Sequence, residues 1–130
     1  MEKVKKLFQN DKFAEYLGIK LLEVSKGYAK AKLVINEKHI NGLGTVQGGV
    51  IYSLADLVFE IASNSHGTIA VAVNASISYF KAVREGYLIA EGKEISLNNK
   101  LASYVVNIID STGDLVAVFQ GMVYRKKKAL

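Results

Sequence analysis

The sequence predicts an α+β protein in which one long apolar helix is wrapped by a curved antiparallel sheet of five to six strands. Three observations carry this. Residues 48–65 are apolar on nearly every side, the pattern of a helix buried in a core rather than laid on a surface. Beyond Gly67 the apolar residues recur with period two in four long runs, the signature of strands with one buried face. The runs are joined by short turn-forming segments, which suit antiparallel neighbours, and a single strongly apolar helix against such a sheet makes a two-layer α+β domain.

Taken in order, residues 3–16 place Val4, Leu7, Phe8, Phe13 and Ala14 among polar residues, an amphipathic helix broken near Asn10-Asp11. Ile19 to Val24 and Tyr28 to Ile35 alternate around Lys26-Gly27, which reads as a two-stranded hairpin. A glycine-spaced loop from Asn36 to Val46 leads through Gly48-Gly49 into the long helix. Strands follow at Ile69–Phe80, Tyr87–Leu97, Leu101–Ile109 and Leu115–Tyr124, with turns at Arg84-Glu85-Gly86, Asn98-Asn99 and Ser111-Thr112-Gly113-Asp114. The connections favour a meander. A single sheet shields only one side of the helix, so a second subunit is expected, joined edge to edge through an outer strand such as Ile69–Phe80.

The chain of 130 residues is read as one domain, 1–130, with one core; half of it is hydrophobic and 22% charged, a globular balance. The absence of cysteine excludes disulfides, thiolate metal sites and a cysteine nucleophile, and two histidines, His39 and His66, are too few for a histidine-rich metal centre. No metal is therefore expected, and both histidines are read as surface residues. The first residues are charged without an apolar signal region, and no segment reaches the roughly 18 to 20 apolar residues of a membrane span, so a cytoplasmic protein without membrane contact is expected. The formal charge of +5 is scattered except at Arg125-Lys126-Lys127-Lys128, read as a frayed, solvated tail. With no aromatic-basic stripe, nucleic-acid binding is not expected.

The chemistry concentrates where the loop meets the long helix. The first amides of a helix have no internal partner, and glycines at Gly48 and Gly49 let a substrate oxygen approach them closely, the arrangement of an oxyanion hole. Asp56 is an acid within an apolar helix, which is costly unless it is paired, protonated or used. It lies eight residues beyond Gly48, about 12 Å along the axis. Either a long substrate bridges the two, or two helices meet across a dimer; the second arrangement is the one expected. A structural acid bonded to helix amides across the dimer is the plainer alternative.

The pattern Asn-x-x-Gly-x-x-x-Gly-Gly-x-x-x-x-Leu-Ala-Asp, here Asn41, Gly44, Gly48, Gly49, Leu54, Ala55 and Asp56, resembles the hotdog-fold acyl-CoA thioesterases of the phenylacetate-pathway (PaaI-like) branch. The likeness extends over essentially the whole chain, including Phe119-Gln120-Gly121. The resemblance implies subunits paired through a continuous sheet into a homodimer, and two dimers into a homotetramer, with the active site between subunits. It implies hydrolysis of a small or medium acyl-CoA thioester to free acid and CoA, with no cofactor other than the coenzyme A of the substrate.

By position, Asp56 resembles the acid that activates water or attacks the thioester, Gly48 the amide that polarises its carbonyl, and Asn41 the side chain that orients the nucleophile. The family's usual His-Gly-Gly is here Gln47-Gly48-Gly49, which keeps a hydrogen-bond donor but loses a titratable imidazole. Glu60, four residues after Asp56 where some relatives carry a hydroxyl, lies on the same face. Two nearby carboxylates would raise one pKa and set an acid beside a base, whereas the plainer reading has Glu60 reaching solvent or a lysine. Asn41 alternatively only shapes its turn; Asn74 either reaches the neighbour's site or pairs across the interface. Lys81 and Arg84 either hold coenzyme A phosphates or form an exposed basic turn. Two rivals to the hydrolase remain at this point: a non-catalytic acyl-CoA binder, and an enoyl-CoA hydratase, which needs an Asp/His pair that Gln47 does not supply.

Overall fold

The computed structural model describes residues 1–130. Two short helices open the chain, α1 (Glu2–Gln9) and α2 (Lys12–Leu17). They part at Asp11 because its carboxylate caps α2, accepting from the Ala14 N–H at 2.9 Å, and Gly18 ends α2 in the left-handed region at φ 83°. The hairpin β1 (Lys20–Ser25) and β2 (Tyr28–Val34) turns on Lys26-Gly27, and alternation along β2 buries Ala29, Ala31 and Leu33 completely. A short 3₁₀ turn, Glu37–His39, then leads to α3 (Gly48–Asn64).

Four strands follow: β3 (Thr68–Tyr79), β4 (Tyr87–Leu97), β5 (Leu101–Asp110) and β6 (Leu115–Ala129). They form one antiparallel sheet with β1 and β2, in the order β1-β2-β4-β5-β6-β3. The expected meander therefore holds for β4, β5 and β6, but β3 lies at the far edge, beside β6. The reason is α3: it leaves β2, crosses the concave face of the sheet, and delivers the chain to the opposite side. Register shifts in β1, β3, β4 and β5 mark irregularities of the kind that bend strands, and the sheet curls around the helix.

Two glycines seat α3 on the sheet. A methyl group on Gly92 would stand 2.6 Å from Val58 Cγ1, and one on Gly121 would stand 2.7 Å from Phe59 Cζ, so the helix approaches more closely than any side chain there would allow. Phe59 packs edge-on to Tyr104 and tilted to Phe119, with ring centroids 5.8 and 5.4 Å away. The core formed by α3 and the inner sheet face is continuous, with Leu54, Ala55, Val58, Ile61 and Ala62 wholly buried.

Two expectations are corrected here. The basic tail is not frayed: β6 continues through Arg125–Lys128 to Ala129, pairing Ala70 with Arg125 and Thr68 with Ala129. The apolar alternation stops at Tyr124, yet ladder hydrogen bonds need no apolar side chains, and exposed lysines are well suited to a solvated strand. The histidines are not surface residues either. His39 is fully buried, its Nδ1 accepting from the Asn36 N–H at 3.0 Å and its Nε2 donating to the Leu17 carbonyl at 2.8 Å. His66 Nε2 lies 2.6 Å from Glu94, whose carboxylate also accepts from the Tyr104 hydroxyl at 2.6 Å. Beside it the Gly27 N–H donates to Ser65 Oγ at 2.7 Å, so the C-terminal end of α3 is tied to the β1–β2 turn and to β4.

No helix is long and apolar enough to cross a membrane.

Candidate active site

The loop before α3 is built to present the helix start. Asn41 closes it: its side-chain oxygen accepts from the Leu43 and Thr45 N–H groups at 2.9 and 3.1 Å, and its amide nitrogen donates to Thr45 Oγ1 at 3.0 Å. Buried His39 holds the next stretch, its carbonyl accepting from the Gln47 N–H at 2.8 Å, while Val46 N–H donates to Val83. The chain thus enters α3 in a fixed direction. Gln47 is exposed and its side chain makes no capping bond.

The N–H groups of Gly48 and Gly49 consequently meet no acceptor within the chain. Gly48 lines a cavity of about 360 Å³ with Val46, Ile51, Tyr79, Phe80 and Val83. Tyr79 reaches over from the end of β3 and donates its hydroxyl to the Gly48 carbonyl at 2.9 Å. That bond fixes the Gly48–Gly49 peptide plane, and with it the direction of the Gly49 N–H. Oriented free amides at a helix N-terminus favour negative charge.

Asp56 lies two turns further along α3 and opens into a different cavity, about 420 Å³, between α3, β3, β6 and α1. Leu7, Phe59, Ile69, Val71 and Val123 make its walls apolar, and Glu60 shares it with Asp56. Both side chains are half-buried, and neither hydrogen-bonds within the chain. Burial, and then the negative charge of Asp11, push the Asp56 carboxyl above its ordinary value. Glu60 is pushed up to about 7 by burial first, then by Asp11 and Asp56. A carboxyl that holds its proton near neutrality thus stands one turn from a second acid. A larger cavity of about 600 Å³ between α1 and β1 contains none of the candidate residues.

The structure therefore brings Asp56 and Glu60 together and leaves Gly48 apart from them. Of the two partners in its plainer reading, solvent or a lysine, Glu60 keeps partial exposure to solvent but reaches no lysine: no Lys, Arg or His is within ion-pair distance of either acid. Asn41 spends its carbonyl oxygen on the loop, so the turn-shaping role expected as the alternative is present in the fold. Gly49, Gln47 and Asn74 are exposed, Asn74 on the unpaired edge of β3. Lys81 is not free: its ammonium lies 2.6 Å from both Asp110 and Asp114, which raise its pKa, and it in turn holds the Asp110 carboxyl well below the usual carboxylate range. Arg84 is exposed and makes no ion pair.

Tyr79 and His39 are residues that sequence reasoning missed as parts of the site. Tyr79 sits at an ordinary strand position with nothing in its neighbourhood to mark it. His39 carried a signal, a histidine within a polar turn just before the glycine loop, but one that does not distinguish burial from exposure. No three or more His, Cys, Asp or Glu side chains are grouped to hold a metal ion.

Residues 43–117 match the family model of the thioesterase superfamily. A putative esterase of Archaeoglobus fulgidus is 46% identical over 127 residues, covering 96% of this chain and 82% of the relative. The acyl-coenzyme A thioesterase PaaI of Escherichia coli is 28% identical, covering 92% and 86%. The solved structure of the E. coli PaaI protein from the phenylacetic acid degradation operon superimposes with a TM-score of 0.94, covering 98% of this chain and 94% of that one at 26% identity.

Proposed function

The chain belongs to the thioesterase superfamily as a PaaI-like, hotdog-fold thioester hydrolase, and on that premise we propose that it hydrolyses small or medium acyl-CoA thioesters at a site shared between two subunits. One observation carries the shared site. The acid and the free amides lie on one helix in separate cavities, and neither cavity contains the other's group. A second copy, paired through the open edge of β3, brings the Gly48 amides of one subunit to the Asp56 of the other. The edge is suited to such pairing: its backbone is unpaired on one side, and Val73, at a register shift, is 57% exposed.

In this reading the thioester carbonyl oxygen accepts from the Gly48 N–H, and Asp56 takes a proton from water as the water oxygen attacks the carbonyl carbon. The tetrahedral oxyanion collapses, the C–S bond breaks, and the thiolate of coenzyme A leaves and takes up the proton from Asp56. Asn41 through its side chain, and Gln47 through its backbone bond to His39, keep the glycine loop in place, and Arg84, rather than the occupied Lys81, meets coenzyme A phosphates. Asn74 belongs to the dimer edge, and Gly49 backs Gly48. The reaction needs no metal and no organic cofactor beyond the coenzyme A of the substrate. Two dimers pair into a tetramer, and the protein works in the cytoplasm. A hydratase mechanism has little to draw on: His39 and His66 are tied to Leu17 and Glu94, and neither lines the Asp56 cavity.

Complementation tests this. Asp56→Asn and a Gly48→Val variant are each expected to lose thiol release across an acyl-CoA panel by orders of magnitude while remaining oligomeric. Mixed dimers of the two carry one intact site, so subunit exchange is expected to restore about a quarter of wild-type activity. Full activity in Asp56→Asn, or no recovery on mixing, overturns the reading.

A further inference from the structure

We propose that Glu60, in its protonated form, is a further catalytic residue: it holds the hydrolytic water against the Asp56 carboxylate. The inference rests on the assignment of Asp56 as the base and adds to it a second, differently charged partner.

Geometry supplies the first argument. Glu60 follows Asp56 by four residues on α3, so the two side chains project on the same face with their Cβ atoms about 5–6 Å apart. They line the same cavity. The two carboxyls make no hydrogen bond to each other or to any other group of the chain, although each is half-buried among apolar residues. Carboxyls one helical turn apart are spaced for a bridging water, which satisfies both and costs little when the site is polar enough to hold it.

Electrostatics supplies the second. Two ionised carboxylates would both accept hydrogen bonds from one water without discriminating between its roles, and they would repel each other. With one proton between them, Asp56 is the acceptor that removes the proton of the water. Glu60 offers an O–H donor and a carbonyl acceptor that fix the water's orientation. The surroundings favour this state. Asp11, at the junction of α1 and α2, is the further negative group that bears on Glu60; β3, β6 and α1 present apolar residues to the cavity, Ile69, Ala70, Val71, Ala72, Val123 and Leu7, while α3 adds uncharged Ser63 and Asn64 and the C-terminal Leu130, with its terminal carboxylate, completes the lining. No cation is near enough to hold Glu60 ionised. In the step itself the water O–H bond breaks, its proton passes to Asp56, the new C–O bond forms, and Glu60 keeps its own proton throughout.

The proposal predicts a pH profile whose alkaline limb belongs to Glu60. As pH rises through about 7 the proton on Glu60 is lost, the water gains a second anionic neighbour, and kcat falls. Glu60→Gln keeps a donor and an acceptor but cannot ionise. It is expected to retain kcat at pH 6 within about threefold and to keep that rate to pH 9, where the wild type has declined. Glu60→Ala is expected to lose kcat at least about thirtyfold with KM changed less than about threefold.

The measurement is thiol release from an acyl-CoA by the intact oligomer between pH 5 and 9, alongside Asp56→Asn. If Asp56→Asn is inactive and Glu60→Gln keeps the wild-type alkaline limb, or loses activity at pH 6, the role of Glu60 is overturned while the assignment of Asp56 stands. If Asp56→Asn is fully active, the underlying assignment is what fails. The Gln variant is isosteric with the protonated side chain and cannot ionise within the cavity, so loss of folding is not expected to obscure the outcome.

Discussion

Gly121 is where the position of the long helix α3 is decided, and replacing it with alanine tests that directly. The added methyl would stand 2.7 and 2.8 Å from Phe59 Cζ and Cε1, and 3.0 Å from Phe119 Cε1. Carbon atoms in contact sit about 3.5–4.0 Å apart, so the overlap on Phe59 is roughly 1 Å. Both rings are essentially fully buried, and Phe59 is wedged between Tyr104 and Phe119, so neither can swing aside. The strain therefore falls on α3, which must lift from the sheet. Overpacking of this kind costs about 1–3 kcal/mol, offset by about 0.5–1 kcal/mol because alanine restricts the unfolded chain more than glycine. The net is a loss of up to about 2.5 kcal/mol, which for a chain of this size lowers Tm by up to roughly 10 °C. Thermal unfolding by circular dichroism reads this, with Phe59→Leu/Gly121→Ala as the diagnostic pair: leucine lacks the atoms the methyl meets, so the double variant should lose at least about 1 kcal/mol less than the sum of the single losses. A higher Tm in Gly121→Ala, or strict additivity in the pair, would refute the close approach of helix and sheet as the reason for glycine here.

Two other perturbations have definite outcomes. Tyr79→Phe removes the hydroxyl that fixes the Gly48–Gly49 peptide and so the Gly49 N–H, the amide beside the proposed Gly48 donor; kcat for acyl-CoA hydrolysis should fall about three- to tenfold with KM within about twofold, less than deleting an oxyanion donor outright, and an unchanged kcat would separate Tyr79 from the site. Glu60 takes up its proton at about 7 in the folded protein against 4.5 in the unfolded chain, so between these values the native state binds more protons and stability falls as pH rises. Glu60→Gln is free of that dependence. After allowance for the partial exposure of Glu60, its stability relative to wild type should grow by about 1–2 kcal/mol from pH 4.5 to 7.5 and then level off, as read by urea unfolding at several pH values. A difference that does not change with pH would mean that Glu60 is not held in an apolar setting.

The amphipathic opening, the Lys26-Gly27 hairpin, the long helix and three of the later strands were legible because each is governed by local periodicity and turn chemistry. The β6 extension was not, since its last residues are held by pairing with β3 and carry no apolar pattern. His39 and His66 were misjudged for a related reason: a polar side chain is buried when backbone carbonyls or a carboxylate happen to meet it, and those partners, Leu17 and Glu94, are 22 and 28 residues away. Lys81 likewise gave no sign of its two aspartates across the β5–β6 turn.

What the sequence determined by itself was the set of chemical parts: an acid buried in an apolar helix, a second acid one turn later, and glycines where that helix begins. These follow from spacing along one helix, which is fixed at 3.6 residues per turn whatever surrounds it. Tertiary structure alone decided which parts share a space. It set β3 beside β6, closed a mostly apolar cavity around Asp56 and Glu60, and aimed the Tyr79 hydroxyl at Gly48, because each of these depends on surfaces brought together from distant parts of the chain.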